Sequence, residues 1–313
     1  MKLPFIKPST LRMLREAEQI PNYSLLERLH GYIYLRWPYF YIRLGLGKHP
    51  MQIFFKPLAA LATKLYPCEP DGDPDRVTWA DTYHGKVMPL DGARRLITVG
   101  RNIEIRDLEK VIPYKRARDI VLQNPERIVV IDCPCRSARE KPCLPLDVCL
   151  IVGEPFASFA LEHCPDKARL IAPAEAVQIL EETDKRGHVH HAFFKEALLG
   201  RFYAICNCCS CCCGAMEAQR NNNPMLCSSG YVAEIDRELC VDCGLCAKKC
   251  QFQALDHQDG TTTLNPERCM GCGVCVNACP KGALSLYRDA SRGEPLEIQK
   301  MLAQAEACAE TQS

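Results

Sequence analysis

Apolar and polar positions follow different rhythms along the chain, and Pro and Gly mark where one rhythm gives way to the next. The pattern predicts a short helix over 9–20 and a second over 23–35, stopped near Trp37-Pro38. A third helix is expected over 50–66, broken early by Pro57. The segment Pro67-Cys68-Glu69-Pro70-Asp71-Gly72-Asp73-Pro74 is dense in breakers and reads as a linker. From about 76 to 200 the pattern alternates. Pro113 opens a helical stretch over 114–123, with Ala117, Ile120 and Val121 on one face, and Asn124-Pro125 closes it. Arg127-Ile128-Val129-Val130-Ile131 is a continuous, mostly β-branched run and predicts a buried strand. A second unit has a short strand at 169–171, Pro173 in the first turn of a helix over 174–186, and Gly187 placed to end it. Residues 201–206 repeat the strand logic. Tyr231–Ile235 is expected to pair with Ala283–Tyr287, and the tail from Pro295 reads as one exposed helix.

Charge changes the picture of the first third. Residues 1–68 carry ten Lys or Arg against Glu16, Glu18 and Glu27, so this arm holds +7 of a chain whose formal net charge is +1. No acidic residue lies between Glu27 and Glu69, and that stretch contains Tyr32, Tyr34, Trp37, Tyr39, Phe40, Tyr41, Phe54, Phe55 and Tyr66. Arg28, Arg36, Arg43, Lys48, Lys56 and Lys64 interrupt it, so no uncharged run approaches a membrane span. Aromatics with spaced cations fit an element lying in a membrane interface or against a membrane complex, through residues 28–68. The alternative is an amphipathic arm folded onto its own protein. Positive charge this sparse and this apolar in its surroundings argues against nucleic acid.

Cysteine supplies the chemistry, with 22 in 313 residues. The amino terminus has no apolar signal-peptide core, so these thiols are expected reduced, in the cytoplasm or at the inner face of its membrane. Cys240-x-x-Cys243-x-x-Cys246-x-x-x-Cys250 is repeated 29 residues later as Cys269-x-x-Cys272-x-x-Cys275-x-x-x-Cys279-Pro280. Three thiolates at this spacing wrap three corners of an iron–sulfur cube, and the fourth reaches the other cube. Zinc suits tetrahedral thiolates too, but duplicated runs of this spacing favour iron.

A second group is Cys133, Cys135, Cys143 and Cys149, opened by a predicted strand and fringed by Pro134, Pro142 and Pro145. Arg136, Arg139 and Lys141 would offset the negative charge of a thiolate cluster, whereas Cys149 alone could be a buried apolar side chain. The third group is Cys206, Cys208, Cys209, Cys211, Cys212 and Cys213. Adjacent side chains cannot all face one way, so one or two further clusters drawing on both groups are expected. His188, His190 and His191 lie between two predicted elements, as candidate ligands or proton donors or as plain polar positions. Cys68, Cys164, Cys227 and Cys308 stand alone and read as non-ligands.

Residues 231–288 resemble the bacterial two-cluster ferredoxins. The resemblance implies two 4Fe-4S clusters, one held by Cys240, Cys243, Cys246 and Cys279, the other by Cys269, Cys272, Cys275 and Cys250. It also implies that Gly244, Gly271 and Gly273 let backbone amides approach the cluster sulfurs. One departure is that Gln251 stands where the family usually has Pro. Over roughly 110–288 the chain resembles poorly characterised 4Fe-4S dicluster-domain proteins, in which a cysteine-rich domain precedes such a module.

The expected fold is therefore α+β and multidomain. It comprises a helical arm over 1–75, a cysteine-rich α/β domain over 76–230, a ferredoxin-like module over 231–288 and a helical tail over 289–313. No Gly-x-Gly-x-x-Gly follows a strand, no Walker loop is present, and no catalytic triad can be named. The leading expectation is an electron-transfer protein serving redox protein partners. The rival is an iron–sulfur reductase whose chemistry occurs at a central cluster, loosely like the cysteine-rich pairs of heterodisulfide reductases. A third class is a scaffold or sensor carrying clusters for another protein.

Overall fold

A computed structural model describes residues 6–68, 73 and 75–310 of the chain. The helices are α1 Pro8–Glu18, α2 Leu25–Arg36, α3 Pro38–Gly45, α4 Gln52–Leu65, α5 Trp79–Thr82, α6 Leu90–Ile97, α7 Pro134–Ser137, α8 Phe156–His163, α9 Pro173–Lys185, α10 Gly214–Arg220, α11 Leu245–Lys249, α12 Val274–Ala278 and α13 Ile298–Glu310. The strands are β1 Tyr83–Met88, β2 Ile103–Ile105, β3 Ile120–Asp132, β4 Asp147–Glu154, β5 Ala168–Ile171, β6 Val189–Lys195, β7 Arg201–Cys208, β8 Leu226–Cys227, β9 Tyr231–Ile235, β10 Leu255–Gln258, β11 Thr261–Leu264 and β12 Leu284–Arg288. Most of the predicted linker falls outside the described residues.

One eight-stranded sheet organises residues 83–227 in the order β2-β3-β4-β7-β6-β1-β8, with β5 beside β3. Pairing is antiparallel except between β1 and β8. Alternation divides each strand between two cores. Val129 and Ile131 of β3, Ile151 of β4, Phe193 of β6 and Ala204 of β7 face α1, α2 and α8. Ile128, Val130, Leu150, Val152, Phe194 and Ile205 face α6 and α9 on the other side. The result is a sheet covered by helices on both faces.

The helix expected over 114–123 does not form. Ala117 has a left-handed backbone (φ 55°), and Ile120–Leu122 pair with β2 instead. Asn124-Pro125 is not a helix stop but a bulge within β3, between Gln123 and Ile128, with Asn124 at φ 51°. A proline is tolerated at a bulge because no ladder hydrogen bond is required of it there. At the end of α9 the sequence signal is accurate. Gly187 (φ 88°) donates to the Asp184 carbonyl and His188 to the Thr183 carbonyl, a Schellman closure.

The amino-terminal helices divide in two. Met13 and Ala17 of α1 and Tyr34 and Leu35 of α2 are buried in the core beneath α8 and the sheet. Ser24 caps α2 through the Glu27 N–H while the Glu27 carboxylate takes the Ser24 N–H. Helix α4 instead leaves Ile53 and Phe54 67% and 79% exposed. The carboxyl-terminal tail is not wholly exposed as expected: Leu296 and Ile298 are buried against the α6 side, and Arg101 pairs with Glu306 at 2.7 Å.

In the last domain β9 and β12 pair antiparallel from Ile235↔Leu284 to Tyr231↔Arg288, and β10 and β11 form a hairpin across Asp259-Gly260. Both turn residues have positive φ, as a two-residue hairpin turn demands. Helices α11 and α12 each start from a left-handed glycine, Gly244 (φ 69°) and Gly273 (φ 80°), so the duplicated cysteine run is also a duplicated backbone.

Candidate metal centres

The eight cysteines of the duplicated runs surround two small cavities in crossed fashion. Cys240, Cys243 and Cys246 line one with Cys279, and Cys269, Cys272 and Cys275 line the other with Cys250. The halves are related in detail. The Ala254 N–H donates to Cys250 Sγ at 3.2 Å, and the Ala283 N–H donates to Cys279 Sγ at 3.3 Å, in each case four residues on. The Ala233 N–H adds a third such bond to Cys269 Sγ at 3.4 Å. N–H donors on sulfur stabilise negative charge and tune reduction potential. Gly271 has φ 64°, and a Cβ there would lie 2.1 Å from the Tyr231 carbonyl oxygen, so only glycine fits this approach. Burial pushes the Cys275 thiol up to about 12, so a cation is needed to hold it as thiolate; coordination does that outright. The residues present therefore suit cube-type clusters.

The departure at Gln251 has a structural use. Its side-chain carbonyl accepts the Ser210 N–H at 2.7 Å, which ties the end of the first cysteine run to the central cysteine loop. Proline could not make this bond.

The central cysteines converge on the face of the sheet beneath α2 and α3. Cys133 directly follows β3, Cys149 lies within β4, and Cys206 and Cys208 lie in β7, with Cys149 and Cys206 directly paired across the ladder. Their thiols form a chain of neighbours: Cys135 to Cys133, then Cys149, Cys206, Cys208 and Cys213. The cavity they line, about 80 Å³, is larger than either ferredoxin cavity at about 20 Å³. Tyr34, Leu35, Tyr39 and Ile42 of α2 and α3 roof it, and the Tyr39 hydroxyl donates to the Asp132 carbonyl at 2.9 Å. Mutual hydrogen bonding sets neighbouring thiols apart: Cys133, accepting from Cys135 and Cys149, falls well below the ordinary thiol range, while those two rise.

Arg136 is buried beside this nest. Its guanidinium donates to the Asn207 carbonyl at 3.0 Å and to the Pro145 carbonyl, and it meets His188 Nδ1 at 3.1 Å. Burial works against its charge, but the Cys209, Cys133, Cys149 and Cys208 thiolates more than offset that and raise its pKa. Asn207, alternating to the opposite face from Cys206 and Cys208, anchors β7 by donating to the Val148 carbonyl at 2.7 Å. Arg139 is tied to the Cys212 carbonyl at 3.0 Å and to Glu217. Lys141 is exposed.

The remaining central cysteines turn the other way. Sγ atoms of Cys143, Cys209, Cys211 and Cys212 all lie within 4.8 Å of one another, and Cys209 and Cys212 also back onto the inner cavity. The three histidines are not in a connection. His190 and His191 lie inside β6 and are fully buried, and His188 immediately precedes it. His190 Nδ1 bonds Asn207 Oδ1 at 2.6 Å, whereas neither ring nitrogen of His191 has a hydrogen-bond partner among the described residues. His191 pairs across the ladder with Cys206, and its ring lies 6.5 Å from that of Phe252 in the last domain. Phe252 and Met270 pack against the central core.

Sequence reasoning missed two contributors. Cys164, at the end of α8, lines the inner cavity although it looks solitary in the sequence. Tyr34, Tyr83 and Tyr203 bring three hydroxyls together at 2.9 to 3.4 Å on the same cavity wall. Of the other lone cysteines, Cys68 is exposed, Cys227 is buried in β8, and the Cys308 side chain lies outside the described residues.

Among the described residues no helix is long and apolar enough to cross a membrane. No curated protein matches the chain. Residues 233–286 match the family model described as a 4Fe-4S dicluster domain, which supports a ferredoxin-like iron–sulfur module on a larger cysteine-rich α+β protein and points to iron–sulfur electron transfer.

Proposed function

We propose that the protein is an electron carrier within a larger redox system. Its two ferredoxin clusters, in the crossed quartets given above, exchange electrons with a soluble protein partner. A third iron–sulfur cluster, held by four of the six thiols Cys133, Cys135, Cys149, Cys206, Cys208 and Cys213, carries the path into the central domain. The observation that supports this most is the nest itself: buried thiols around a cavity larger than the ferredoxin cavities, a buried Arg136 as counter-charge, and Phe252 and Met270 packing from the ferredoxin side. Each cluster passes one electron, and the protein sets its potential through burial, charge and N–H···S bonds. Helix α4 carries the contact with the membrane face or a membrane complex.

Iron, acid-labile sulfide and paramagnetic resonance on anaerobically purified full-length chain test the third cluster. The expected iron is clearly above the eight atoms that two cubes supply, and Cys149→Ser with Cys206→Ser removes about four iron atoms while the ferredoxin signals stay. Eight iron atoms in the wild type would end the reading.

A reductase is the second reading, favoured by the Tyr34, Tyr83 and Tyr203 hydroxyls, which are placed to give protons at the inner cavity. Reduced protein that transfers no electrons to small disulfides or other small oxidants without a protein partner would leave the carrier reading alone.

A further inference from the structure

The outer group of central thiols differs in kind from the other three. We infer that Cys143, Cys209, Cys211 and Cys212 bind one tetrahedrally coordinated divalent ion of the zinc or ferrous class, and not a cluster. A metal–thiolate bond of about 2.3 Å in a tetrahedron puts the four sulfurs about 3.8 Å apart. Here all four lie within 4.8 Å of one another, with Cys143 to Cys211 at 3.1 Å and Cys211 to Cys212 at 3.6 Å. A cube must stand between its thiolates, which bind its outer corners, so its ligands are spread further. The same chain supplies the comparison. Among the described residues no trio from either ferredoxin quartet is gathered this closely, although both quartets are fully described.

The surroundings fit a closed site of this type. Cys143 comes from the loop before β4, and the other three come from the loop after β7, so one ion would clamp the two loops together. The same stretch also presents inner thiols: Cys206 and Cys208 in β7 and Cys213 in the loop line the inner cavity, and Cys209 and Cys212 of the outer group back onto it. Backbone groups of the loop are already held. Arg139 binds the Cys212 carbonyl, Arg220 the Ser210 carbonyl at 3.0 Å, and Gln251 the Ser210 N–H. Such outer contacts orient the ligands. Four thiolates and a divalent ion sum to −2, which Arg139 and Arg136 face. Zinc would make the site a structural clamp; iron would make it a one-electron centre.

The test is metal analysis of the full-length chain in three forms: wild type, Cys211→Ser and Cys143→Ser. Cys211 is exposed, so its replacement leaves the folded core intact. The expected result is loss of one metal ion per chain in each variant, with acid-labile sulfide unchanged. Zinc loss and iron loss both keep the single ion and name it. Cobalt(II) added to zinc-depleted wild type should give the intense visible bands of a tetrahedral thiolate complex, and Cys211→Ser should not. Loss of about four iron atoms with their sulfide, or no loss of metal, overturns the inference. The inference does not depend on the inner cluster: if Cys149→Ser with Cys206→Ser leaves iron unchanged, that cluster falls and the outer ion stands.

Discussion

Gly271 carries the tightest constraint on the module that the family match identifies. Its left-handed backbone, with Tyr231 O 2.1 Å and Ser229 Oγ 2.3 Å from any added Cβ, leaves an alanine nowhere to go. Gly271→Ala should destabilise the module by more than about 2 kcal/mol and cost it the cluster beside Cys250, Cys269, Cys272 and Cys275. Halved ferredoxin resonance with the other quartet's signal intact is the expected readout, and full occupancy would refute it. Cysteine spacing made these positions legible because ligand geometry acts over a few residues. Cys149 is harder to read, since a β-strand hides one thiol among apolar neighbours, and only the pairing with Cys206 reveals its direction. Cys164 and the three tyrosines gave no local signal at all, because their roles arise from tertiary proximity.

Helices and strands were legible where one period dominates and caps agree, as in α9 with its Schellman end. Local signals failed at β3, where Asn124-Pro125 looks like a helix boundary but forms a bulge with Asn124 at positive φ. The basic, aromatic arm was two elements read as one. Its first part packs Tyr34 and Leu35 into the core, with Gly31 so close to the 195–198 turn that a Cβ would lie 1.9 Å from the Ala197 carbonyl oxygen. Its second part, α4, keeps Ile53, Phe54 and Leu61 outside, with Arg43, Lys48 and Lys64 exposed on or near it. This combination suits an anionic interface. Wild-type chain should therefore sediment with vesicles containing acidic lipid at low salt. Ile53→Ser with Phe54→Ser should abolish that without altering iron content, and failure of the wild type to bind would sink the membrane role.

For the whole molecule, the sheet is the common frame. One face carries the thiol nest and the roofing helices; the other is an apolar core that the sequence pattern described well. Where the faces meet the rim, His84 is fully buried, stacked 4.0 Å from the Tyr114 ring, with its nitrogens 2.8 Å and 3.1 Å from the Ala80 and Ala117 carbonyls. Burial pushes its pKa down to about 4, and the two carbonyl contacts oppose that shift. The unfolded chain, with an ordinary histidine near 6.5, takes up the proton first. This contribution to stability is thus full above pH 6.5 and declines by about 1.4 kcal/mol per pH unit as pH falls toward 4. Urea unfolding at pH 7.5, 6 and 5 should show a shallower pH slope for His84→Gln than for wild type, even though the variant is less stable at pH 7.5. Parallel slopes would refute the assignment.

The roof over the inner nest also imposes an order of events. Residues 25–45 leave the ribosome long before Cys206–Cys213 exist, yet their docking surface is complete only when β7 and its loop are in place. Once Tyr34, Tyr39 and Ile42 settle, they cover the cavity that the inner thiols line. If the third cluster proposed above is correct, its loading must compete with closure of this roof. On that proposal a chain that closes early would stay empty, and the amino-terminal helices would be the last elements to shut over the site.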